Sequence, residues 1–336
     1  MRDPRVSILL PCRNADAYLS DAIASLEEQT FGDFEVIAVD DGSTDDTANI
    51  LNAWATRDGR VRVSHMPPRG IVRALQVAAG ASRAPLLARM DADDIASPDR
   101  LKRQIAYLDA RPDVVACGTR IRYIPRSAVK DGARRYELWI NSLSEPALLE
   151  RDLFVECPIA HPTLLVRRAA FERAGGYRET AWPEDYDLVF RLWRAGGRLA
   201  NVPEVLLDWR ESQTRLSRTD ARYTEDALRR CKVHHLAASL LDGVDRVIVW
   251  GAGPVGKAFA RMVAETGRRM AAFVDVDPRK IGQTVYAAPV IAPAGLNAFR
   301  GVFVLAAVSG AGPRAEIRAA LDAADWREMR DYCAVA

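Results

Sequence analysis

The chain has 336 residues, 49% of them hydrophobic and 27% charged, an ordinary balance for soluble domains that excludes wholesale disorder, collagen and a coiled-coil rod. Lys and Arg number 47 against 45 Asp and Glu, a net charge of +2. That argues against a general nucleic-acid binder, whose surface carries a basic face.

At roughly 150 residues per domain, the length predicts two domains. The longest apolar runs fall short of the about 18 residues of a membrane span. No signal-peptide core follows the N-terminus. Five scattered cysteines, Cys12, Cys117, Cys157, Cys231 and Cys333, form no C-x-x-C pair. Zinc is therefore not expected, and the odd count fits a reducing cytoplasm better than a disulfide framework.

Residues 6–10 read as a buried strand stopped by Pro11. Asn14 or Asp16 is then placed to cap a helix, with Leu19, Ala22, Ile23 and Leu26 at i, i+3, i+4 and i+7. Residues 34–39 form the next strand, running into Asp40-Asp41-Gly42-Ser43. Residues 47–55 read as helix, 61–65 as strand and 70–81 as helix. A strand at 85–90 ends in Asp91-Ala92-Asp93-Asp94, and Pro98 opens a helix to Leu108. Residues 120–160 carry a weak pattern rich in Arg and Pro. Residues 163–166 read as strand and 168–174 as a short helix. Glu184-Asp185-Tyr186-Asp187 opens an amphipathic helix, 205–209 is a strand, and 222–241 a longer helix broken by Asp242-Gly243. We place the domain boundary there, giving domains 1–242 and 243–336.

Alternating strands and helices predict a parallel sheet wound by right-handed crossovers. Ligands of such sheets sit beyond the carboxyl ends of the strands. Asp40-Asp41 and Asp91–Asp94 both fall at strand carboxyl ends and so are expected to face one crevice. Paired carboxylates there suit Mg²⁺ or Mn²⁺, which keeps positions open for phosphate. A lone D-x-D is also common in solvated turns, and that reading assigns Asp94, Ser97 and Asp99 to turn and cap roles.

Together these motifs are similar to those of family 2 glycosyltransferases of the GT-A fold. The resemblance rests on Val6–Pro11 with Asn14, Gln29-Thr30-Phe31, Val39–Asp45 and Ala88–Asp94. It extends through Pro98-Asp99-Arg100-Leu101, His161-Pro162-Thr163, Gly175-Gly176-Tyr177 and Glu184–Leu188, roughly residues 5–215. It implies a mixed, mainly parallel α/β sheet and transfer from a nucleotide-sugar, UDP-linked by preference. The acceptor implied is a glycan or lipid-linked hydroxyl of a surface polysaccharide, reached without a membrane span and with peripheral membrane association open.

By the same resemblance, Asp41 contacts the base, Asp40 shapes the loop beside it, and Pro11 lies in the loop that covers the nucleoside. Asp93 holds the metal, Asp91 the ribose or metal shell. Asp185 is the general base of an inverting reaction, with His161 and Glu184 on the acceptor side. A carboxylate within reach of the acceptor hydroxyl can take its proton; a helix-start carboxylate stabilised by the macrodipole is the bland alternative. Two departures stand out. Pro68-Arg69-Gly70 replaces an Asn-x-Gly. Trp209-Arg210-Glu211-Ser212 replaces a Tyr-Arg-x-His, leaving Arg210 to clamp the diphosphate.

A second constellation follows the boundary. A strand at 247–250 leads into Gly251-Ala252-Gly253-Pro254-Val255-Gly256 and a helix through Val263. This is G-x-G-x-x-G in a strand-turn-helix setting. A second strand, 271–274, ends at Asp275, placed to bond a ribose hydroxyl. Ser309–Gly312 forms a further small-residue loop. The stretch resembles a half-length Rossmann-like domain, which implies NAD(P) or a nucleotide-sugar as its ligand. The alternative is that the glycines serve packing alone. No Tyr-x-x-x-Lys pair is present to move a hydride, so binding outranks a second catalysis. Two rival functions remain from the sequence: a non-catalytic sugar-nucleotide sensor, and an NAD(P)-dependent oxidoreductase working through these C-terminal glycines.

Overall fold

The computed structural model describes residues 3–212 and 215–336. The chain forms two compact units. One comprises Met1–Leu149 and Pro158–Asp220, the other Glu150–Cys157 and Ala221–Ala336.

The first unit opens with β1 (Val6–Cys12), α1 (Asp16–Glu27), β2 (Phe34–Asp41), α2 (Thr47–Arg57), β3 (Val61–Met66), α3 (Ile71–Ala81) and β4 (Leu86–Arg89). It continues through β5 (Ile95–Ala96), α4 (Arg100–Ala110), β6 (Val114–Ile124), α5 (Asp131–Ser142) and α6 (Pro146–Asp152). After these come β7 (Leu165–Arg167), α7 (Arg168–Arg173), α8 (Glu184–Arg194), β8 (Arg198–Arg210) and α9 (Leu216–Thr219). Eight strands form one sheet in the order β3-β2-β1-β4-β7-β6-β8-β5. β1 pairs in parallel with β2 and β4, while β7 runs antiparallel to both β4 and β6. The sheet is thus mixed, as the resemblance implied and the crossover pattern alone did not.

β2 is buried along its whole length and β1 nearly so, because helices cover both faces of a parallel sheet. That explains why four of the five residues from Val6 to Leu10 are apolar, Ser7 being the exception. The stripe Leu19, Ala22, Ile23 and Leu26 is buried on α1 as the spacing predicts. A buried polar knot secures the strand starts. The Ser7 hydroxyl donates to Glu35 at 2.7 Å, and Arg83 meets the same carboxylate through its amide at 2.8 Å and its guanidinium at 2.9 Å.

Several local expectations are corrected. α1 is capped by Ala15, with no side-chain cap. Asn14 instead accepts from the Thr44 amide at 2.9 Å, tying together the loops after β1 and β2. Pro98 lies outside its helix; its carbonyl accepts from the Thr30 amide, and Asp99 takes the cap position. The weakly patterned stretch holds β6, α5 and α6. β6 pairs with β8 through register shifts, and its surface arginines blur the alternation that identifies a strand. Residues 163–166 divide between a 3₁₀ turn, His161–Thr163, and β7.

The second unit contains α10 (Glu225–Ala237), β9 (Arg246–Trp250), α11 (Pro254–Glu265), β10 (Arg269–Val274), β11 (Thr284–Val285), β12 (Ala288–Ile291), β13 (Phe303–Ala306), α12 (Ala311–Ala323) and β14 (Tyr332–Ala334). Its sheet runs β11-β12-β10-β9-β13-β14 and is parallel except for β11 against β12. The unit begins at Ala221 and takes in Glu150–Cys157, where the composition break had placed the boundary at 242/243. Side-chain pairing is the reason. Lys232 on α10 donates to the Val155 carbonyl at 2.7 Å and the Val335 carbonyl at 3.1 Å. Arg318 bridges Asp152 at 2.6 Å and Glu328 at 2.8 Å. Among the described residues, no helix is long and apolar enough to cross a membrane.

Candidate active site

The parallel strands β1, β2 and β4 deliver three loops to one end of the first sheet. Pro11 and Cys12 end β1, opposite Val39 and Asp40 of β2. Asp40 accepts from the Ser43 amide at 3.0 Å and meets His65 Nδ1 at 3.0 Å. The far nitrogen of His65 meets Asn52 at 3.0 Å. Burial works to raise the Asp40 pKa, but the Ser43 and His65 bonds outweigh it and hold the carboxyl below its usual range. Asp40 thus ties the loop after β2 to the Ser43 amide and to His65 on β3.

Asp41 is equally committed. Its two oxygens accept from the Arg69 amide at 2.7 Å and the Gly70 amide at 2.9 Å. They pin the Pro68-Arg69-Gly70 turn. Gly70 has a φ of +86°, a left-handed conformation that glycine adopts without strain.

After β4 the chain turns through Asp91, Asp93 and Asp94, which bring carboxylate oxygens within 4.8 Å of one another. Asp94 is fully buried rather than a solvated turn residue. One of its oxygens accepts from the Arg210 amide at 2.8 Å. Among the described residues the other is buried with no hydrogen-bond donor. Burial first, then the Asp91 charge, pushes Asp93 up to about 6, against the pull of Arg215 and Arg89. The same causes, with Asp93 added, raise Asp94 well above the carboxylate range. Crowded hard-oxygen donors that resist joint ionisation, one of them unpartnered, suit a divalent cation such as Mg²⁺ or Mn²⁺. The residues present therefore fit the expected metal, with Asp94 added to the expected pair.

Arg210 does not stand ready as a phosphate clamp. Its Nε donates to the Asp93 carbonyl at 2.8 Å, its terminal nitrogen lies 3.1 Å from Asp21, and its guanidinium covers Tyr18 at 4.2 Å. It straps the end of β8 to the acidic turn. Arg215 is one of the cations acting on the acidic cluster, and the sequence reading did not single it out. Arg215 stacks on Trp209 at 4.3 Å and pairs with Glu211 at 3.3 Å, and its charge acts on Asp93 and Asp94.

Arg89 was also missed, although it sits within the quoted motif. It is buried and paired with Asp91. Its charge also acts on Tyr177 and His161. The only sequence signal for either arginine was a cation within or near an acidic motif.

The third contribution comes from the start of α8. Glu184 is 1% exposed, with an oxygen 3.9 Å from His161 Nδ1. His161 Nε2 meets the Tyr177 hydroxyl at 2.8 Å. Burial, then the Arg89 charge, pushes the His161 pKa well below its ordinary value, so the ring is neutral at pH 7. Asp185 is half-buried and accepts from the Tyr186 amide at 2.7 Å. Asp187 pairs with Arg191 at 2.7 Å and accepts from the Trp182 indole at 3.1 Å, a role in holding the helix.

Two groups show that these stretches converge. Burial raises the Cys12 thiol, and Asp40, Asp91 and Asp93 all add to the rise. Burial also raises the Tyr177 phenol; Arg89 opposes it, while Glu184, Asp185 and Asp91 add to it. Carboxylates from β2, from the turn after β4 and from α8 thus act on one another's neighbours across one end of the sheet. Gly251, Gly253, Gly256 and Asp275 lie elsewhere, around a separate cavity of the second unit.

Comparison with known proteins agrees with this arrangement. The family model for glycosyl transferase family 2 matches residues 7–175. An uncharacterized glycosyltransferase of Haemophilus influenzae is 30% identical over 218 residues, 62% of this chain and 65% of that protein. The chain thus spans just under two thirds of that relative's length. The amylovoran biosynthesis glycosyltransferase AmsE of Erwinia amylovora is 28% identical over 56% of this chain and 69% of its own. The O-antigen biosynthesis glycosyltransferase WbnJ of Escherichia coli is 28% identical over 66% and 85%.

Among solved structures, S. aureus TarS in complex with UDP-GlcNAc superposes with a TM-score of 0.57 at 18% identity, over 78% of this chain and 71% of that one. The mannosyltransferase PcManGT of Pyrobaculum calidifontis, in complex with GDP-Man and Mn²⁺, gives 0.52 at 16%, over 97% and 82%. At such identities the likeness shows the fold, which is that of GT-A glycosyltransferases such as TarS. The family model covers half the chain and all three strand-end loops, and on that ground the chain belongs to glycosyl transferase family 2.

Proposed function

We propose that the chain is an inverting, divalent-metal-dependent glycosyltransferase. It moves a sugar from a UDP-sugar to a hydroxyl of a glycan or lipid-linked acceptor during assembly of a surface polysaccharide. The observation that carries this is the acidic turn Asp91–Asp94, with its oxygens within 4.8 Å and one buried oxygen unpartnered; its Asp91 acts on the same Tyr177 phenol as Asp185. The polysaccharide role draws support from the names of the amylovoran and O-antigen relatives. Five buried free thiols are consistent with work in a reducing cytoplasm.

Asp91, Asp93 and Asp94 would hold the cation, which when bound neutralises charge on the diphosphate leaving group. The chain's own residues do the rest. The acceptor oxygen attacks the anomeric carbon as the bond to the diphosphate breaks. Asp185, its carboxylate oriented by the Tyr186 amide, takes the hydroxyl proton. A single displacement of this kind inverts the anomeric centre. Arg89, bonded to Asp91 and near Tyr177, keeps the acidic turn and the start of α8 in register.

The test is Asp185→Asn. Transfer should fall by about 10²–10⁴ in kcat, the usual share of a general base, while calorimetric affinity for the UDP-sugar stays unchanged. Wild-type turnover in that variant would remove the base assignment.

A further inference from the structure

The first unit carries a surface that the transfer chemistry does not use. Between residues 120 and 139 six Lys and Arg stand against two acids, a local charge of +4 in a chain whose total is only +2. Two of those cations are already committed. Arg122 pairs with Asp208 and Arg126 with Glu137, each at 2.7 Å. Lys130, Arg134 and Arg135 are exposed and, among the described residues, have no carboxylate partner.

These three sit at the start of α5. Lys130 is its cap residue, Arg134 and Leu138 follow at intervals of four, and Arg135 stands beside them. One face of the helix is therefore basic at its start and apolar further on. Asp131 is the one exposed acid of α5. Leu138 is 74% exposed. Tyr136 and Trp139 flank it, partly buried, and Tyr136 leans on Trp209 at 6.2 Å.

Other apolar side chains gather at the same place. Among the described residues of this unit, the exposed large hydrophobics are Tyr18, Leu138, Val205 and Leu216. Three of them belong to elements packed round the end of β8. Trp209 meets Tyr136 of α5 and is covered at 4.3 Å by Arg215, the neighbour of Leu216. Arg210 covers Tyr18 of α1 at 4.2 Å. Exposed hydrophobics scattered singly are ordinary; three round one strand end, with unpaired cations on the same helix, are a surface of distinct character. That strand end is bonded to the acidic turn, through the Arg210 amide on Asp94. The surface therefore borders the candidate active site.

Its chemistry selects the occupant. Separate apolar side chains give a folded protein no single anchor to enclose. An anionic bilayer needs no matching shape. Long Lys and Arg side chains reach its phosphates, while Leu, Trp and Tyr settle at the depth of the headgroups. Each basic residue held near such a leaflet adds roughly a fivefold gain in binding. The remainder of the chain is net negative, so the attraction is confined to this face and orients the docking.

We propose that the face built from α5, α9 and the start of α1 docks on an anionic lipid bilayer and presents the acidic turn to an acceptor carried in that membrane. The docking stands on the surface alone. The choice of a lipid-linked acceptor deepens the transfer reading and rests on it.

The test is sedimentation of the full chain with vesicles of phosphatidylglycerol and phosphatidylethanolamine, against vesicles of phosphatidylcholine alone. The chain should partition at least tenfold more strongly onto the anionic vesicles, and the preference should shrink as salt rises. Lys130→Glu combined with Arg135→Glu should weaken that partition at least tenfold. Leu138→Ser should weaken it severalfold and serves if the charge reversals misfold. All three positions are exposed, so the melting temperature should hold, as should the rise that a UDP-sugar produces with Mn²⁺. That rise reads the transfer site alone, and its absence in the parent would count against the transfer reading while leaving the docking intact. The proposal falls if anionic vesicles bind no better than neutral ones, or if the α5 variants bind them as the parent does. It falls equally if soluble heparin binds the parent as tightly and Leu138→Ser changes nothing, which would mark a face for acidic glycans.

Discussion

Asp41 offers the sharpest check on how the site is held together. Its carboxylate is 3% exposed and accepts two amides, from Arg69 at 2.7 Å and Gly70 at 2.9 Å. Hydrogen bonds to a charged acceptor are worth about 1.5–3 kcal/mol each. Asp41→Ala removes both and leaves the amides facing an apolar methyl, a loss of about 3–6 kcal/mol on simple addition. The turn borders solvent and can relax, so about 3 kcal/mol is the expected value. Asp41→Asn keeps one acceptor oxygen and turns an NH₂ toward the second amide. It should lose roughly half as much, about 1.5–2 kcal/mol.

Urea denaturation followed by tryptophan fluorescence would read both numbers as midpoint shifts at constant slope. Donor affinity should fall alongside, because the same turn lies at the strand end where the donor is proposed to bind. Both variants lying within about 0.5 kcal/mol of the parent, the usual range for an unimportant surface change, would refute the reasoning. It would show that the turn is held by its own backbone and not by Asp41.

Other expectations follow from the same structure. Asp93→Asn, or EDTA on the parent, should abolish the rise in melting temperature that a UDP-sugar produces with Mn²⁺; a rise of the same size without metal would count against the cation site. Burial acts to raise the Glu35 carboxyl, but the Ser7 and Arg83 hydrogen bonds and the Arg62 charge prevail and lower it. Its contribution is therefore complete above the unfolded value near 4.5 and is lost as pH falls through the lower folded value. Glu35→Gln should cost about 1–2 kcal/mol at pH 7, because its partners Arg62 and Arg83 are nearly half exposed and solvent screens the pair, and should flatten the acid limb of the stability profile; an unchanged limb would exclude Glu35 as its source. At Gly118 a Cβ would meet Asn201 Oδ1 at 2.4 Å and Thr163 Oγ1 at 2.8 Å. Gly118→Ala should cost about 1–3 kcal/mol of overpacking and disturb the turn that holds His161, visible as a lower melting temperature and reduced transfer; a neutral variant would mean that Asn201 can move aside.

Much of this was legible in one dimension because the relevant signals are local. Hydrophobic spacing marked β1, α1 and β2. The acidic runs stood at strand ends, where a parallel sheet puts its ligands. Glycine spacing announced the turn after β9. What the sequence could not settle was which polar atoms face each other. Asp91 and Asp93 were the expected pair of candidate metal ligands; the structure places Asp94 beside them, buried, with its amide partner 116 residues away on Arg210. Arg210 looked like a free guanidinium, yet Asp93, Asp21 and Tyr18 occupy it. The unit boundary moved because Lys232 and Arg318 find partners across long stretches of chain. Periodicity reports which face of an element is buried. The partner of a buried charge is chosen by the three-dimensional closeness of residues far apart in sequence, since an unpaired charge away from water is too costly to leave.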